Sequence, residues 1–200
     1  MQQLQEGLWH WTAPHPEWEP KDAGPEGWPQ DVSSYAVDAG ECLVVIDPIA
    51  PPSLLEELAA GRRAAVVLTC PWHVRDTKEV VERVGASVYT PPREGGGEES
   101  AGTKYAPGDD LPGGLVAFAA LEPGDLVLWI PERRALVFGD TLVDRCLGAR
   151  LEIPVTWTPT DVSKPERAER LRPLLDLPVE LVLPTHGLPT DRAALERALA

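Results

Sequence analysis

Histidine is scarce in this chain, with four in 200 residues, and it is absent between His73 and His186. Any imidazole chemistry in the body of the protein must therefore use those two or the pair near the start, His10 and His15. Cysteine is equally sparse: three, an odd number, with Cys42 and Cys70 beside apolar runs. That usage does not make a secreted disulfide framework and points to reduced thiols. No apolar run approaches the roughly 20 residues of a membrane helix. The opening MQQLQEGLWH has neither the basic nor the apolar region of a secretory leader. Basic residues number 18 against 32 acidic ones, a formal charge of −14, which excludes long-range attraction to nucleic acid or an anionic membrane. The expectation is a cytoplasmic protein whose partner is a small-molecule ligand or substrate, with no nucleic acid and no membrane involved. The glycine-rich REGGGEESAG at 93–102 is not a phosphate cradle. No strand closely precedes it, no helix follows, and the lysine and hydroxyl residue of such a loop are missing from their places.

What is present fits one domain, 1–200, with 43% hydrophobic residues to build a core. Proline is abundant at 22 residues and sits between the periodic segments, so the connections are stiff. Residues 7–31 hold four of the seven tryptophans with His10 and His15. The plain reading of 1–31 is a Trp/Pro-rich N-terminal arm packed on the body, with regular structure limited to a first short strand. In the alternative, Trp9, His10, Trp11 and His15 wall a pocket, or the two histidines are ligands. Ser34–Ala39 and Cys42–Pro48 read as a hairpin. Ser53 with Glu56 predicts a capped helix over 54–60 that Gly61 closes, and a second helix over 77–84 is closed by Gly85. Strands follow from the runs at 64–69 and 87–90. Beyond residue 102 the pattern becomes a meander over 115–120, 125–130 and 135–138. A helix capped by Ser163 and Glu166 and running to about Asp176, a strand at 179–183 and a helix opened by Thr190 complete the chain.

Four strand-like runs end in chemistry: LVVID at Asp47, AAVVLTCPWHVRDT from Ala64 to Thr77, ALVFGD at Asp140, and VELVLPTHG at His186. Strands flanked by helices carry their sites on the loops at one rim, which predicts a shared cleft. Cys70, three residues from His73, is either a small buried hydrophobe finishing its strand, which burial statistics favour, or a thiolate ligand or a nucleophile with His73 as base. Asp76 with Glu79 reads as a helix N-cap, and Arg75 either binds a carboxylate or pairs with Asp76 or Asp144. Asp47 is expected to be structural, accepting backbone N–H groups.

The order of these elements, with VIDP around Asp47, a histidine-bearing loop after the next long strand, FGDT at Asp140 and LPTHG at His186, resembles the metallo-β-lactamase fold superfamily over nearly the whole chain. The resemblance implies an α/β fold, an αββα four-layer sandwich, with a metal site at the rim between its sheets. It places Asp140 on the bridging carboxylate and His186 on the last histidine ligand. The main motif T-H-x-H-x-D-H is degraded here to Thr69-Cys70-Pro71-Trp72-His73-Val74-Arg75-Asp76, and Leu121-Glu122-Pro123-Gly124 stands near the expected mid-chain histidine. Asp140 and His186 with Asp76 or His73 are enough for one zinc or iron ion and too few for two. The implied function is hydrolysis of an ester, thioester, amide or lactone by a single metal-activated water, with His73, Asp76 and Cys70 as catalytic candidates. The alternative is a non-catalytic small-ligand-binding or interaction module that holds no metal.

Overall fold

The computed structural model describes residues 1–24, 27–93, 101–145, 150–154, 156–157 and 162–200. Seven strands build the first sheet in chain order: β1 (Gln2–Gln5), β2 (Leu8–Pro14), β3 (Asp31–Asp38), β4 (Cys42–Ile46), β5 (Arg63–Val67), β6 (Ser87–Thr90) and β7 (Thr103–Lys104). Pairing is antiparallel from β1 to β4 and parallel from β4 to β7. The switch follows from the helices α1 (Leu54–Ala59) and α2 (Thr77–Val84), which carry the chain back across the sheet before β5 and β6. Then come β8 (Val116–Ala119), β9 (Leu126–Ile130), β10 (Ala135–Phe138), a ribbon of β11 (Val143–Asp144) with β12 (Leu151–Glu152), α3 (Lys164–Leu171), β13 (Leu181–Pro184), β14 (Thr190–Asp191) and α4 (Arg192–Ala198). The second sheet has the order β14-β13-β10-β9-β8, with β10 and β13 parallel.

Three apolar clusters define four layers. Between the sheets lie Val44 and Ile46 of β4, Val67 of β5, Leu128 and Ile130 of β9, and Val137 of β10. The opposite faces of the same strands feed two outer cores. Leu43, Val45 and Val66 meet Leu55 and Val80 of α1 and α2, and Val127, Leu136 and Phe138 meet Leu171 and Leu195 of α3 and α4. Central strands buried on both faces are uniformly apolar, which is why LVVI and AAVV show no alternation. Among the described residues no helix is long and apolar enough to cross a membrane.

Local expectations fail where side chains have better partners. Ser53 sits in helical φ/ψ and makes no capping bond. Asp76 does not cap α2 either: its carboxylate accepts the Ala50 N–H at 2.7 Å and ties the loop after β4 to the loop after β5. The box of Ser163 and Glu166 does form. The helix it starts tightens to 3₁₀ geometry over Arg172–Asp176, because Pro173 has no N–H to continue the α ladder. The strand expected at 179–183 begins later, at Leu181, and Thr190 pairs in β14 before Asp191 caps α4. The strand expected in the arm is β2, while β1 has no apolar alternation that would announce it. Most of the glycine-rich loop, 94–100, lies outside the described residues.

The sheets are pinned together at one rim. Ser33 N–H donates to Thr185 O at 2.8 Å, and the Tyr35 hydroxyl donates to Pro184 O at 2.7 Å. Ser33 Oγ donates to Gly187 O at 2.5 Å and lies 2.8 Å from His10 Nε2, so His10 is a structural pin. Burial lowers its pKa from 6.5 to about 4. The folded protein holds His10 neutral down to that value while the unfolded chain takes up the proton near 6.5, so the unfolded state binds more protons in this window. Stability conferred by this pin is therefore full above about 6.5 and lost as pH falls toward 4. Urea unfolding across that range should show a shallower acid loss in His10→Gln, whose amide keeps a donor without titrating. An unchanged slope would remove His10 from the account.

Candidate metal centre

The four polar strand ends meet at that pinned rim. Asp47 follows β4 with φ of 45°, and its buried carboxylate collects three groups. Oδ1 accepts Thr69 N–H at 2.9 Å, and Oδ2 accepts the Thr69 hydroxyl at 2.5 Å and stands 2.9 Å from His73 Nδ1. Asp47 is thus structural, as expected, but it also orients an imidazole, which the sequence did not disclose. The His73 ring is turned so that Nε2 lies 3.2 Å from Asp140 Oδ1, and His186 Nε2 approaches the same oxygen at 3.3 Å. Neither contact is a well-aligned hydrogen bond, which leaves Oδ1 buried between two imidazoles without a proper donor. The other oxygen, Oδ2, accepts the indole N–H of Trp72 at 2.8 Å.

Cys70 is fully buried at the end of β5, and its thiol donates to Asp125 Oδ1 at 3.2 Å. The Thr141 hydroxyl holds the other Asp125 oxygen at 2.5 Å. Cys70 Sγ, a His73 nitrogen and an Asp140 oxygen lie within 4.8 Å of one another. His186 joins this trio through Asp140. Trp28 and Trp157 stand edge-on to His186, with ring centroids at 5.0 and 5.2 Å, and wall the cleft.

The charges are arranged in pairs. Burial opposes the imidazolium of His73, but the Asp140 and Asp47 carboxylates outweigh it and raise the pKa to about 9. His186 is pushed the other way, to about 4, by burial that its contact with Asp140 only partly offsets. Burial also works against ionised Asp140, yet His73 and His186 hold its carboxyl well below the usual range. Asp125 rises to about 7, through burial and the negative charge of Asp140. Cys70 is driven well upward by burial and the surrounding carboxylates, so its resting form is the thiol.

No protein-family model matches the chain, and no curated protein does. Solved structures do. A metallo-β-lactamase from Pontibacter korlensis superposes with a TM-score of 0.66 at 18% identity, over 99% of this chain and 95% of that one. The DIM-1 metallo-β-lactamase gives 0.70 at 15% identity, over 98% and 93%. TTHA1623, in a di-iron-bound form, gives 0.60 at 25% identity, over 88% and 95%. This chain has the metallo-β-lactamase fold.

Within this metallo-β-lactamase fold, Cys70, His73, Asp140 and His186 come together at the rim, whereas Asp76 is committed to Ala50. Arg75 pairs with neither Asp76 nor Asp144; its Nη1 donates to the carbonyls of Ser33 and Asp47 at 3.0 Å each. His15 meets Trp28 edge-on at 5.1 Å. Sequence reasoning missed Asp125 and Trp72. The signal for Asp125 was a carboxylate directly after Pro123-Gly124 and directly before the fully buried β9, a place where a charge needs a reason.

Thiolate, imidazole and carboxylate are donors that zinc accepts, and the set fits an ion here. Donors on a tetrahedral zinc, at bonds of about 2.0–2.3 Å, stand roughly 3.3–3.8 Å apart, so the trio closes with side-chain shifts of about an ångström. Asp47 on His73 Nδ1 is the outer partner a metal-binding imidazole needs, because it fixes the tautomer that leaves Nε2 free to ligate.

Proposed function

We propose that this rim holds one metal ion and that the chain is a metal-dependent hydrolase acting on a small ester, thioester, amide or lactone. The observation that carries the reading is the convergence of Cys70, His73 and Asp140 with Asp47 clamped on the far side of the His73 ring. His186 Nε2, beside Asp140 Oδ1, offers a further donor. TTHA1623, of the same fold, takes iron, so iron is a reasonable occupant beside zinc. A zinc or iron ion bound here supplies Lewis acidity and lowers the pKa of a water toward neutrality.

The chain's own residues prepare the site by moving protons. To hold an ion, His73 would release to solvent the Nε2 proton that Asp140 favours, while Nδ1–H stays with Asp47. The Cys70 thiol proton has a short path to Asp125 Oδ1, 3.2 Å away, and a carboxyl whose pKa is about 7 can hold it near neutrality. With an ion at the rim drawing the sulfur, Asp125 would be the acceptor that takes the Cys70 proton, and Thr141 keeps its carboxyl in place. Trp28 and Trp157 narrow the cleft over His186, which favours a compact substrate. The free thiols of Cys42 and Cys70 support a cytoplasmic setting.

A non-catalytic ligand-binding module is the second reading, favoured by the Trp72 indole seated on Asp140 Oδ2, where a donor already serves the carboxylate. Elemental analysis of protein purified without a metal-binding tag separates the two. The expected result is one equivalent of zinc or iron, with ester or thioester hydrolysis that chelation, Asp140→Ala and His73→Ala each abolish. Two tightly held ions, or hydrolysis that survives chelation and both substitutions, would overturn the proposal.

A further inference from the structure

On the outer face of the second half, β12, α3 and α4 enclose a concavity of about 240 Å³ that Arg150, Lys164 and Arg197 line, with Glu152 the one acidic member among the described residues. In a chain of net charge −14 such a concentration needs a reason. Glu152 is already spent, because its Oε2 pairs with Arg150 at 3.2 Å and its Oε1 with Arg145 at 3.3 Å. The acidic residues beside the other two cations in sequence are engaged as well. Glu166 holds the Ser163 cap, and Glu196 pairs with Arg192 at 2.7 Å. Lys164 and Arg197 consequently face the concavity with no carboxylate partner among the described residues. The floor beneath them includes Ala194 and Ala198, small side chains that leave room for a ligand.

We propose that this concavity binds a small phosphate-bearing anion. Lys164 and Arg197, with the Glu152-paired Arg150 beside them, suit a doubly charged group, and the two arginines are guanidinium forks, which match phosphate oxygens in geometry. The acidic whole of the protein selects for size. At physiological salt a charge is felt over roughly 8 Å, so a small anion seated among these side chains senses the local positive field. An extended polyanion would reach past it to the negative surface. The site is separate from the rim where Asp140 and His73 lie, and it stands whether or not that rim carries out hydrolysis.

The test uses the full-length protein at fixed ionic strength, with inorganic phosphate, a phosphate monoester such as glycerol 3-phosphate, and chloride as the control. Phosphate should raise the melting temperature in proportion to the logarithm of its concentration and give a saturable heat on titration. The double variant Lys164→Ala/Arg197→Ala should lose at least tenfold in affinity. Both positions are exposed, so the variant should fold normally, and the metal content of the rim should not change. Tighter binding of the monoester would identify a phosphorylated metabolite as the ligand, and equal binding would identify free phosphate. Chloride matching phosphate, or phosphate binding that persists in the double variant, would overturn the site.

Discussion

Asp47→Ala should be among the most damaging single substitutions, costing about 3–5 kcal/mol of folding stability, the scale for removing one partner of a buried charged pair. The carboxylate is fully buried and serves Thr69 N–H, Thr69 O–H and the His73 ring at once. Its loss strands all three and leaves the His73 proton facing a single carboxylate, Asp140. Asp47→Asn divides structure from chemistry. Its amide oxygen can still accept Thr69 N–H, which limits the loss of stability, but its NH₂ faces His73 Nδ1 and forces the ring proton onto Nε2. That tautomer has no lone pair left for an ion, so zinc affinity should fall by about 10–100-fold, the usual effect of disturbing a ligand's outer partner. Urea melts and competition against a chromophoric chelator measure the two effects separately. If the asparagine variant binds zinc as well as the parent does, the clamp has no role in metal binding.

The two sheets were legible because their central strands are buried on both faces and so stand out as unbroken apolar runs. The shared rim was legible because four of those runs stop at a polar residue. The site was harder to read, for a physical reason. Its contacts join residues far apart in the chain, and several depend on which of two available partners a side chain takes. Asp76 read as a helix cap takes Ala50 N–H instead, because the left-handed Arg75 before it, with φ of 40°, turns the chain toward the loop after β4. Asp125 looked like a polar residue opening a strand. Only the approach of β9 to the end of β5, with Leu126 N–H donating to Thr69 O at 3.0 Å, carries its carboxylate to Cys70. Trp72 gave no signal at all. It is 42% exposed, yet its indole N–H fixes Asp140, a contact that only the folded loop creates.

Gly139→Ala should dismantle the site with one methyl group. The backbone there does not demand glycine, since Gly139 is not among the residues with positive φ; the restriction is space. A Cβ would stand 2.6 Å from Cys70 Sγ, 2.6 Å from Asp125 Oδ1 and 2.8 Å from Thr69 Oγ1. All three are short side chains held by hydrogen bonds in the buried rim, so none can swing aside as a long surface side chain would. Overpacking of this kind costs typically about 1–3 kcal/mol, but the larger effect should fall on the metal centre. The methyl group separates Cys70 from Asp125, the base proposed to take its proton, and shifts Thr69, which helps Asp47 hold His73. In cobalt-substituted protein the thiolate-to-metal absorption should disappear and zinc stoichiometry should drop toward zero, while the helices and outer cores persist by circular dichroism. Gly24→Ala is the control, because a Cβ there meets nothing within 4 Å and surface changes of that kind stay within about 0.5 kcal/mol. A Gly139→Ala protein that keeps one zinc and its thiolate signal would show that Cys70 and Asp125 do not work as a pair.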